Sequence, residues 1–432
     1  MSIGYACHAL CVPNTTIQKC LIKNADEKRL HELIGGNIAA LEKMVDYNIQ
    51  NNIRLFRISS DIIPFASSPV CTIPWALTHG EALAKIGEKI RQSGMRVSMH
   101  PGQYTVLNSS SEKTQESAAR ELLYHAQLLN SLQADDTSKI VLHVGGAYGD
   151  KPAALHRFCQ QYHRLDSRIK ARLVIENDDT IYNIQEVLEL GTRLSIPVVF
   201  DNLHHYTNPA GDAMDEAGWI RECAKTWRKQ DGRQKIHYSQ QDPCKKPGAH
   251  AKSIAIDAFM QFYKSLGEDK PDIMLEVKDK NLSAIKCLLC TAEKGEIAAI
   301  EREWGRMKYL VLEHSQAAYQ SIRELLNDKT ATPALAFYRL VEAALLEPAG
   351  RGSALNAAVH ILGYFKEMAT GRECAGVQKC MEEYQAGRKP LAALKRRLYA
   401  LAQAYEQTYL LESYYFAQQY GFEMEYGVEA PV

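Results

Sequence analysis

The sequence predicts an α/β fold, a (β/α)8 TIM barrel, followed by an all-α helical domain. Eight short strand-like runs alternate with helical patterns over the first two thirds of the chain, as they do in such a barrel. Six successive runs end in His, Asp or Glu, and the strand-like runs stop at about residue 296. A chain of 432 residues has room for two domains. We therefore expect a barrel domain over residues 1–295 and a helical domain over residues 296–432.

The strand-like runs are short, apolar and rich in β-branched residues. They are Ile3 to Cys7, Ile53 to Ile58, Met95 to Met99, Lys139 to Leu142, Leu173 to Ile175, Pro197 to Phe200, Lys235 to Ile236 and Ile273 to Leu275. Helical patterns between the first four runs are Asn37 to Tyr47, Gly80 to Ser93 and Gln115 to Leu132. Runs of this kind are typical of parallel strands that are buried on both faces.

Side chains that bind metals or protons stand at the ends of the third to the eighth runs. They are His100, His143, Glu176, Asp201, His237 and Glu276. A barrel of this class builds its site from the C-terminal ends of several strands, so these side chains are expected to meet there. Helix capping or surface exposure would explain a single such residue, but it does not explain six in succession.

With His204 and His250 these residues make a set of eight imidazoles and carboxylates without a cysteine. Such groups suit divalent ions, with manganese, zinc and magnesium as candidates. Eight ligands exceed the need of one ion, so we expect two or three ions per chain. Clustered divalent ions are suited to the in-line hydrolysis of a phosphodiester. A sugar isomerase or epimerase on the same barrel is an alternative that the spacing leaves open.

Composition narrows the class of protein. Hydrophobic residues make up 46% and charged residues 24% of the chain, as in soluble globular proteins, and no apolar run reaches the length of a membrane span. The chain starts without a signal-peptide pattern and its 11 cysteines are scattered, so we expect a cytoplasmic protein with free thiols and no membrane partner. No GxGxxG pattern follows a strand, so no nucleotide cofactor is expected. The formal net charge is zero, so any phosphate-binding surface must be local.

The ordered motifs of the first 290 residues resemble those of the UV damage endonucleases. The matching stretches are Gly4-Tyr5, Arg57-Ile-Ser-Ser60, His100-Pro-Gly-Gln-Tyr104, His143-Val-Gly-Gly-Ala-Tyr-Gly149-Asp-Lys, Glu176-Asn-Asp-Asp179, Asp201-Asn-Leu-His-His205, Lys235-Ile-His237-Tyr-Ser and Glu276-Val-Lys. The resemblance implies a barrel of the endonuclease IV type. It also implies incision of duplex DNA immediately 5′ to a UV photoproduct, leaving a 3′-hydroxyl and a 5′-phosphate, with abasic sites as a further substrate. A lesion-binding protein without cleavage is the alternative.

The resemblance also implies roles for individual residues. The eight candidate ligands match the metal residues of the family, for which manganese is the usual ion, and Glu176, His237 and Glu276 among them are expected to be catalytic. Lys235 is expected to be catalytic as well: it matches a lysine beside the metals for which the resemblance suggests carboxylation, with a lysine that points at a DNA phosphate as the alternative. Gln103 and Tyr104 match residues that probe the damaged strand, with burial of Tyr104 under its loop as the alternative.

Two further positions concern the DNA strand opposite the lesion. Tyr5 matches an aromatic residue that acts from the other side of the damaged site. Ala9 stands where some members have asparagine, which puts in doubt how the opposite bases are held apart.

Three lysines in loops after strands are candidates for contacts with DNA phosphates. They are Lys151, Lys245 and Lys246, and the last two lie in a Lys-Lys-Pro-Gly loop between His237 and His250. The expected partner is therefore double-stranded DNA with UV lesions, held by local basic groups.

From about residue 296 the sequence resembles the YbgA-type domain of unknown function. The resemblance rests on Lys308 to Ser315, Arg351 to Asn356, His360 to Lys366 and Tyr384 to Leu391, and helical patterns cover Arg302 to Leu326, Pro333 to Leu346, Ser353 to Thr370, Gly376 to Gln385 and Leu391 to Tyr420. Asn356, His360 and Tyr364 share one helix face; we expect buried hydrogen-bonding residues there, with a ligand-facing stripe as the alternative. The basic segment from Arg388 to Arg397 is either a nucleic-acid surface or a solvated face.

Overall fold

Eight parallel strands form one sheet in the first part of the chain, as the sequence predicts. They are β1 (Ile3–Ala6), β2 (Leu55–Ile58), β3 (Arg96–Met99), β4 (Ile140–His143), β5 (Leu173–Glu176), β6 (Val198–Val199), β7 (Lys235–Tyr238) and β8 (Asp272–Leu275). Their order in the sheet is β6-β5-β4-β3-β2-β1-β8-β7. A parallel bridge between Asp201 and His237 joins the two remaining edges, so the strands close into a barrel. The predicted α/β barrel is confirmed.

Helices alternate with the strands of the barrel, and the elements after β8 are helical. They are α1 (Glu27–Gln50), α2 (Trp75–Thr78), α3 (Gly80–Gln92), α4 (Glu112–Ser131), α5 (Lys151–Arg164), α6 (Ser167–Lys170), α7 (Ile184–Leu194), α8 (Asn202–Thr207), α9 (Glu216–Ala224), α10 (Ile256–Ser265), α11 (Asn281–Thr291), α12 (Ile297–His314), α13 (Gln316–Leu325), α14 (Ala334–Leu346), α15 (Arg351–Leu362), α16 (Gly371–Gln385), α17 (Leu391–Ala404) and α18 (Thr408–Leu411). Short 3-10 turns cover Ile22–Asn24, Ser60–Ile62, Lys229–Asp231, Gly363–Phe365 and Tyr414–Tyr420.

The computed structural model describes residues 1–211, 214–293, 297–330 and 333–420. The chain divides into two compact units, the first made of residues 1–9, 14–251 and 263–284, the second of residues 10–13, 252–262 and those from 285 on. The expected boundary between residues 295 and 296 lies outside the described residues. Across the described ranges, no helix combines the length and the apolar character needed to cross a membrane.

An apolar layer fills the barrel directly below its polar end. Val141, Val174 and Val199 pack together inside the barrel, and Leu55 and Met274 form a second buried group. Alternate residues of a strand point to the same side, so the residues two positions further on also face the interior. Those residues are Arg57, His143, Glu176, Asp201 and Glu276. The apolar layer thus forms the floor on which the polar end of the barrel rests.

Three of the helical stretches expected after residue 296 are interrupted, and in Ser353 to Thr370 the α-helix ends at Leu362. Arg302 to Leu326 is broken at Ser315, whose side chain accepts a hydrogen bond from the N–H of Ala318 and so begins α13. Leu391 to Tyr420 is broken after α17, where Glu406 adopts a left-handed backbone conformation with φ 49°. The helical character of the region is confirmed.

One expectation about side chains in this region is wrong. Asn356, His360 and Tyr364 are exposed and not buried, so their shared face is open to solvent. Periodicity identified this shared face, but it does not show which face the core covers. In the basic segment, Lys395 is buried and pairs with Glu313 at 2.6 Å, whereas Arg388, Lys389, Arg396 and Arg397 are exposed.

Candidate metal centre

Seven of the eight candidate ligands meet at the C-terminal end of the barrel, with the buried carboxylate of Glu176 at their centre. Its Oε2 lies 3.1 Å from Nε2 of His100 and 3.7 Å from Nε2 of His143. Its Oε1 lies 2.7 Å from Nδ1 of His237 and 3.8 Å from Nδ1 of His204. One carboxylate is therefore surrounded by four imidazoles that four different segments supply.

Two further carboxylates extend the cluster across the barrel. Oδ1 of Asp201 lies 3.7 Å from Nδ1 of His204, and Oε1 of Glu276 lies 3.1 Å from Nδ1 of His237. Arg57 forms an ion pair with Glu276. Within this cluster, three groups have ligand atoms within 4.8 Å of one another: His100, His143 and Glu176; Glu176, Asp201 and His204; Asp201, His237 and Glu276. Two of the carboxylates are shared between groups, so the centre offers adjoining sets of ligands.

Burial and neighbouring charges oppose each other at Glu176 and Glu276. Burial favours the neutral form of Glu176, but the charge of His237 and hydrogen bonds from His100 and His237 hold its pKa well below the usual range. Burial acts in the same way on Glu276, whose pKa the Arg57 guanidinium and His237 lower below its ordinary value. Both carboxylates are therefore ionised and depend on nearby positive charge.

The remaining titratable groups differ in charge. The pKa of Asp201 is raised because burial and the carboxylates of Glu176 and Glu276 outweigh the effect of His204. Burial disfavours the charged form of His204, yet Asp201 and Glu176 raise its pKa to about 9. Burial lowers the pKa of His143 to about 4, so this imidazole is neutral. A neutral imidazole presents a lone pair, which a metal ligand needs.

Several ligand atoms at the centre lack a partner. Nδ1 of His143, Nε2 of His237 and Oδ2 of Asp201 are buried and have no hydrogen-bond partner among the described residues. Buried polar atoms are nearly always hydrogen-bonded, so three orphans in one cluster indicate a place for a further group. Imidazole nitrogens and carboxylate oxygens bind divalent ions such as manganese, zinc and magnesium. The donor set therefore fits a centre for divalent ions.

His250, the eighth candidate, lies beside the three groups. Its Nδ1 lies 2.6 Å from the carbonyl oxygen of Glu276. Its side chain lines a cleft of about 360 Å³ together with His143, His204 and Gln103. The structure thus brings His250 and the predicted probe residue Gln103 to the same opening.

Tyr104 projects from the loop after β3 and is 71% exposed. The alternative that it packs under its loop is therefore wrong. A Cβ atom at Gly102 would lie 2.4 Å from the Tyr104 ring, so a side chain at this position would displace the ring from where it lies. The carbonyl of His100, just before this loop, accepts a hydrogen bond from Oγ of Ser60 at 2.7 Å. Next to Tyr104, Gln103 faces the cleft.

Lys235 lies inside the barrel, two residues before His237 on the same side of β7. The side chain is buried, and its Nζ has no hydrogen-bond partner in the part of the chain that the structure describes. Burial, and then the nearby charges of Arg96 and Arg57, lower the pKa of Lys235 to about 7. The amine is therefore held in a place that destabilises its positive charge.

The structure contradicts the expectation that Tyr5 contacts DNA. Its ring is fully buried against Phe56, with ring centres 5.1 Å apart, and its hydroxyl donates to Oδ1 of Asn48 at 2.9 Å. Ala9 is buried as well. A direct contact from Tyr5 to an opposite base is thus not available, because the side chain points into the layer between β1 and α1.

The three candidate phosphate-binding lysines differ in their surroundings. Lys151 pairs with Glu186 at 2.6 Å, and its Nζ lies 5.1 Å from the centre of the Tyr182 ring. Lys245 and Lys246 are exposed, with Nζ of Lys245 3.5 Å from a carboxylate oxygen of Asp242. Lys246 and Lys245 are therefore better placed to meet a phosphate than Lys151.

Polar side chains that the sequence did not single out tie the ends of β5, β6, β7 and β8 together. Asn177 donates from Nδ2 to the carbonyl of Asp201 at 3.0 Å, and its Oδ1 accepts the N–H of Asp201 at 2.9 Å. Asn202 makes the same pair of bonds with Ser239, at 3.0 and 2.8 Å. Oγ of Ser239 donates to the carbonyl of Glu276 at 2.9 Å. An asparagine directly after a ligand at two successive strand ends was the signal that could have revealed them.

A further set of hydrogen bonds fixes the main chain at His100, on the β2 and β3 side of the barrel. Oγ of Ser60, which holds the carbonyl of His100, lies 2.9 Å from Nε2 of the buried His125. Nδ1 of His125 lies 2.7 Å from the carbonyl of Glu121 in α4. The main chain at the first ligand is therefore fixed through an outer helix.

Comparisons with known proteins find relatives over most of the chain. Residues 3–306 match the family described as UV-endonuclease UvdE. A UV DNA damage endonuclease of Clostridium perfringens is 37% identical over 92% of this chain and 97% of its own length. One of Bacillus cereus (strain G9842) is 31% identical over 71% of this chain and 98% of its own length. The crystal structure of SacUVDE is similar with a TM-score of 0.63 and 37% identity, covering 67% of this chain and 96% of that chain.

Residues 308–419 match a family described as a protein of unknown function, DUF1722. Both resemblances inferred from the sequence are thereby confirmed.

The asparagine ties should support both the fold and the centre. Asn177→Ala and Asn202→Ala each leave main-chain groups unpaired at strand ends, so each should lower the free energy of unfolding by about 2–4 kcal/mol. Asn183→Ala removes the side chain that caps α7, which makes no hydrogen bond to a ligand residue, and should cost about 1 kcal/mol. Urea unfolding measures the stability, and titration calorimetry measures manganese binding. We expect weaker binding in the first two variants and unchanged binding in the third; equal binding in all three would contradict a positioning role.

Proposed function

The chain belongs to the UV-endonuclease family and is a DNA repair endonuclease, and from this premise we propose that it incises duplex DNA immediately 5′ to a UV photoproduct with the help of divalent metal ions. The products are a 3′-hydroxyl and a 5′-phosphate, and abasic sites are a second class of substrate. The observation that supports this proposal is the cluster of three carboxylates and four imidazoles at the open end of the barrel, in which Glu176, Asp201 and His237 are buried and several ligand atoms have no partner among the described residues.

We assign two or three ions, with manganese as the ion used, to the eight residues His100, His143, Glu176, Asp201, His204, His237, His250 and Glu276. Divalent ions bound there would lower the pKa of water and offset the negative charge of the phosphodiester. Zinc and magnesium suit the same donors. Glu176 and Asp201 would be shared between neighbouring ions, because each belongs to two of the three ligand groups.

The protein's own groups keep this cluster in the charge state that the reaction needs. The Arg57 guanidinium pairs with Glu276 and keeps it ionised, and it holds one face of this carboxylate in place. Burial strengthens each of these interactions, because the effective dielectric constant inside the barrel is lower than in water. Lys235 is a buried amine below the cluster. In its neutral form this amine can add carbon dioxide and release a proton to form a carbamate.

Recognition of the lesion is assigned to Gln103 and Tyr104. A photoproduct weakens stacking in the duplex, so the damaged bases leave the helix at low cost and vacate space. An exposed aromatic ring and an amide beside the cleft are suited to filling that space and stacking on the neighbouring bases. Lys245 and Lys246 would contact backbone phosphates, whereas Lys151 is left out because it is engaged with Glu186.

Residues 1–295 would constitute the endonuclease domain and residues 296–432 an accessory domain. The Bacillus relative is aligned over 98% of its own length but over 71% of this chain, so a protein with that name does not need a counterpart of all 432 residues. No observation at the site favours the sugar isomerase or the non-cleaving alternative. A free sugar gives no role to an exposed Gln103-Tyr104 pair, and binding alone gives no role to the buried carboxylates.

The proposed reaction is tested on an end-labelled duplex that contains one thymine dimer, with the undamaged duplex alongside. We expect one cut immediately 5′ to the dimer in the presence of manganese. A chelator should abolish the cut, and added manganese should restore it. Cutting of both duplexes at equal rates, or cutting that survives the chelator, would refute the proposal.

Removing two of the buried charges should separate cleavage from binding. Glu176→Gln combined with Glu276→Gln keeps the shape of both side chains but removes the charges that would hold the ions. We expect the loss of bound manganese by elemental analysis and the loss of incision, with retained affinity for the damaged duplex. Glu42→Gln, which removes a carboxylate of α1 that pairs with Lys89, is the control and should retain both activities. Preserved incision in the double variant would rule out the assigned centre.

Removing the probe residues should reduce discrimination and leave the centre intact. Gln103→Ala with Tyr104→Ala takes away one stacking ring and one amide, so the preference for damaged over undamaged duplex should fall about tenfold or more. The manganese content should stay unchanged. Tyr162→Ala, near the C-terminal end of α5 and so at the opposite end of the barrel, is the matched control. A variant that discriminates as well as the parent protein would assign lesion recognition to other residues.

A further inference from the structure

The second unit carries three tyrosines around one lysine, of which Tyr364 and Tyr409 are exposed, Lys308 is partly exposed and Tyr309 is buried. The rings of Tyr364 and Tyr409 are stacked, with centres 5.8 Å apart and planes at 23°, and they are 37% and 39% exposed. The hydroxyl of Tyr309 donates to that of Tyr364 at 2.9 Å. Nζ of Lys308 lies 4.8 Å from the ring centre of Tyr309 and 5.1 Å from that of Tyr409. We refer to Lys308, Tyr309, Tyr364 and Tyr409 as the tyrosine face.

Polar residues of α15 extend this surface. Asn356, Val359 and His360 are exposed and lie on the side of α15 that leads to Tyr364. Asn356 donates to the side chain of Gln316 at 3.3 Å. The stripe expected to be buried is therefore an open surface that continues the tyrosine face.

The charge of Lys308 is not neutralised by a carboxylate. Among the described residues, no carboxylate oxygen lies within 4.0 Å of the amine, and the groups that act on it are tyrosines. Burial tends to lower the pKa of Lys308, but a hydrogen bond to Tyr409 and the nearby phenols raise it above the ordinary value. Arg323, over the ring of Tyr319 at 5.9 Å, adds a second cation to the same unit. A partly exposed cation beside the exposed rings of Tyr409 and Tyr364 suits a ligand with both a negative charge and a flat face.

Unpaired nucleotides have this combination of groups. Bases stack on aromatic side chains whatever their sequence, and backbone phosphates bind lysine and arginine. A duplex keeps its bases stacked on each other, so it would use the cations but leave the rings without a role. A protein partner would use the rings, but it would give no particular role to an amine that has no carboxylate partner among the described residues. The surface therefore fits single-stranded nucleic acid best.

We propose that the tyrosine face binds single-stranded DNA, with bases stacked on Tyr364 and Tyr409 and a phosphate at Lys308. DNA is the choice because the chain belongs to a family of DNA endonucleases. The proposal goes beyond incision, because the face belongs to the unit whose family has no described function. The Clostridium relative is aligned over 97% of its length and 92% of this chain, so it carries both parts in one chain as well.

The test uses the full chain, metal-free, with a fluorescent oligothymidylate and anisotropy as the readout. Tyr364→Leu combined with Tyr409→Leu keeps apolar bulk but removes the stacking rings, so the affinity should fall about tenfold or more. Lys308→Gln should reduce the slope of log affinity against log salt by about 0.7, the value for one phosphate on a single strand. The controls are Leu346→Ala, an exposed apolar residue of α14, and Lys379→Gln, an exposed lysine of α16; neither should change binding.

A second measurement does not depend on the substitutions. An oligonucleotide that contains 5-bromodeoxyuridine is photocrosslinked to the unsubstituted protein, and the adduct is mapped by mass spectrometry. We expect adducts on Tyr364 or Tyr409. Unchanged affinity in the ring and lysine variants, adducts confined to the barrel, or tighter binding of oligouridylate or of an undamaged duplex would each overturn the proposal.

Incision of a dimer-containing duplex is measured on the same variants and should be unchanged, since none of these residues belongs to the metal centre. The incision proposal and the proposal for the tyrosine face can therefore be refuted independently of each other. A protein that cuts but does not bind the oligothymidylate would refute the tyrosine face, whereas one that binds it through these residues but does not cut would refute the incision proposal.

Discussion

The structure of the first unit depends on the burial of a carboxylate among imidazoles at one end of a parallel barrel. An ionised Glu176 inside a protein is costly unless opposite charge and hydrogen bonds surround it. Here His237 and His100 lie within 3.1 Å of its oxygens, and the Arg57–Glu276 pair supports the adjoining carboxylate. Parallel strands make this arrangement possible, because all eight strands end at the same edge and each of several segments delivers one group. The same residues are therefore costly to bury without opposite charge and are suited to binding cations.

The second requirement is that the strand ends stay fixed once the ladder hydrogen bonds stop. Main-chain groups at the end of a buried strand need partners, and loops that bind a substrate do not reliably supply them. Asn177, Asn202 and Ser239 meet this need with side-chain bonds that run from one strand end to the next. The ligands therefore lie between a layer of apolar side chains below and a series of side-chain hydrogen bonds that join the strand ends. Both features hold the ligand residues in place.

The sequence was sufficient to predict residues whose position follows from the pattern of strands. It was not sufficient for residues whose position depends on tertiary contacts. A polar residue at the end of each buried run marks a strand end whatever the details of packing, so the seven convergent ligands could be predicted. Tyr5 could not be placed, because a four-residue strand that is apolar throughout has no alternation to show which side faces the mouth. Nor could the spacing of Asn356, His360 and Tyr364 show whether their common face was inside or outside. The ion pair of Arg57 with Glu276 joins residues more than two hundred positions apart, and nothing local in either stretch announces it.

The formal net charge is zero, so any attraction between the protein and DNA must come from local groups. A polyanion approaching the barrel mouth meets three carboxylates, and the positive groups nearest to them are already engaged in holding them ionised. These carboxylates alone would repel phosphates, so the proposed divalent ions would offset that charge as well as support the chemistry. At the tyrosine face, Lys308 lies among neutral rings and has no carboxylate partner among the described residues. The two proposals thus give one chain two ways of binding a phosphate: through ions that neutralise acidic side chains, and through a partly exposed amine.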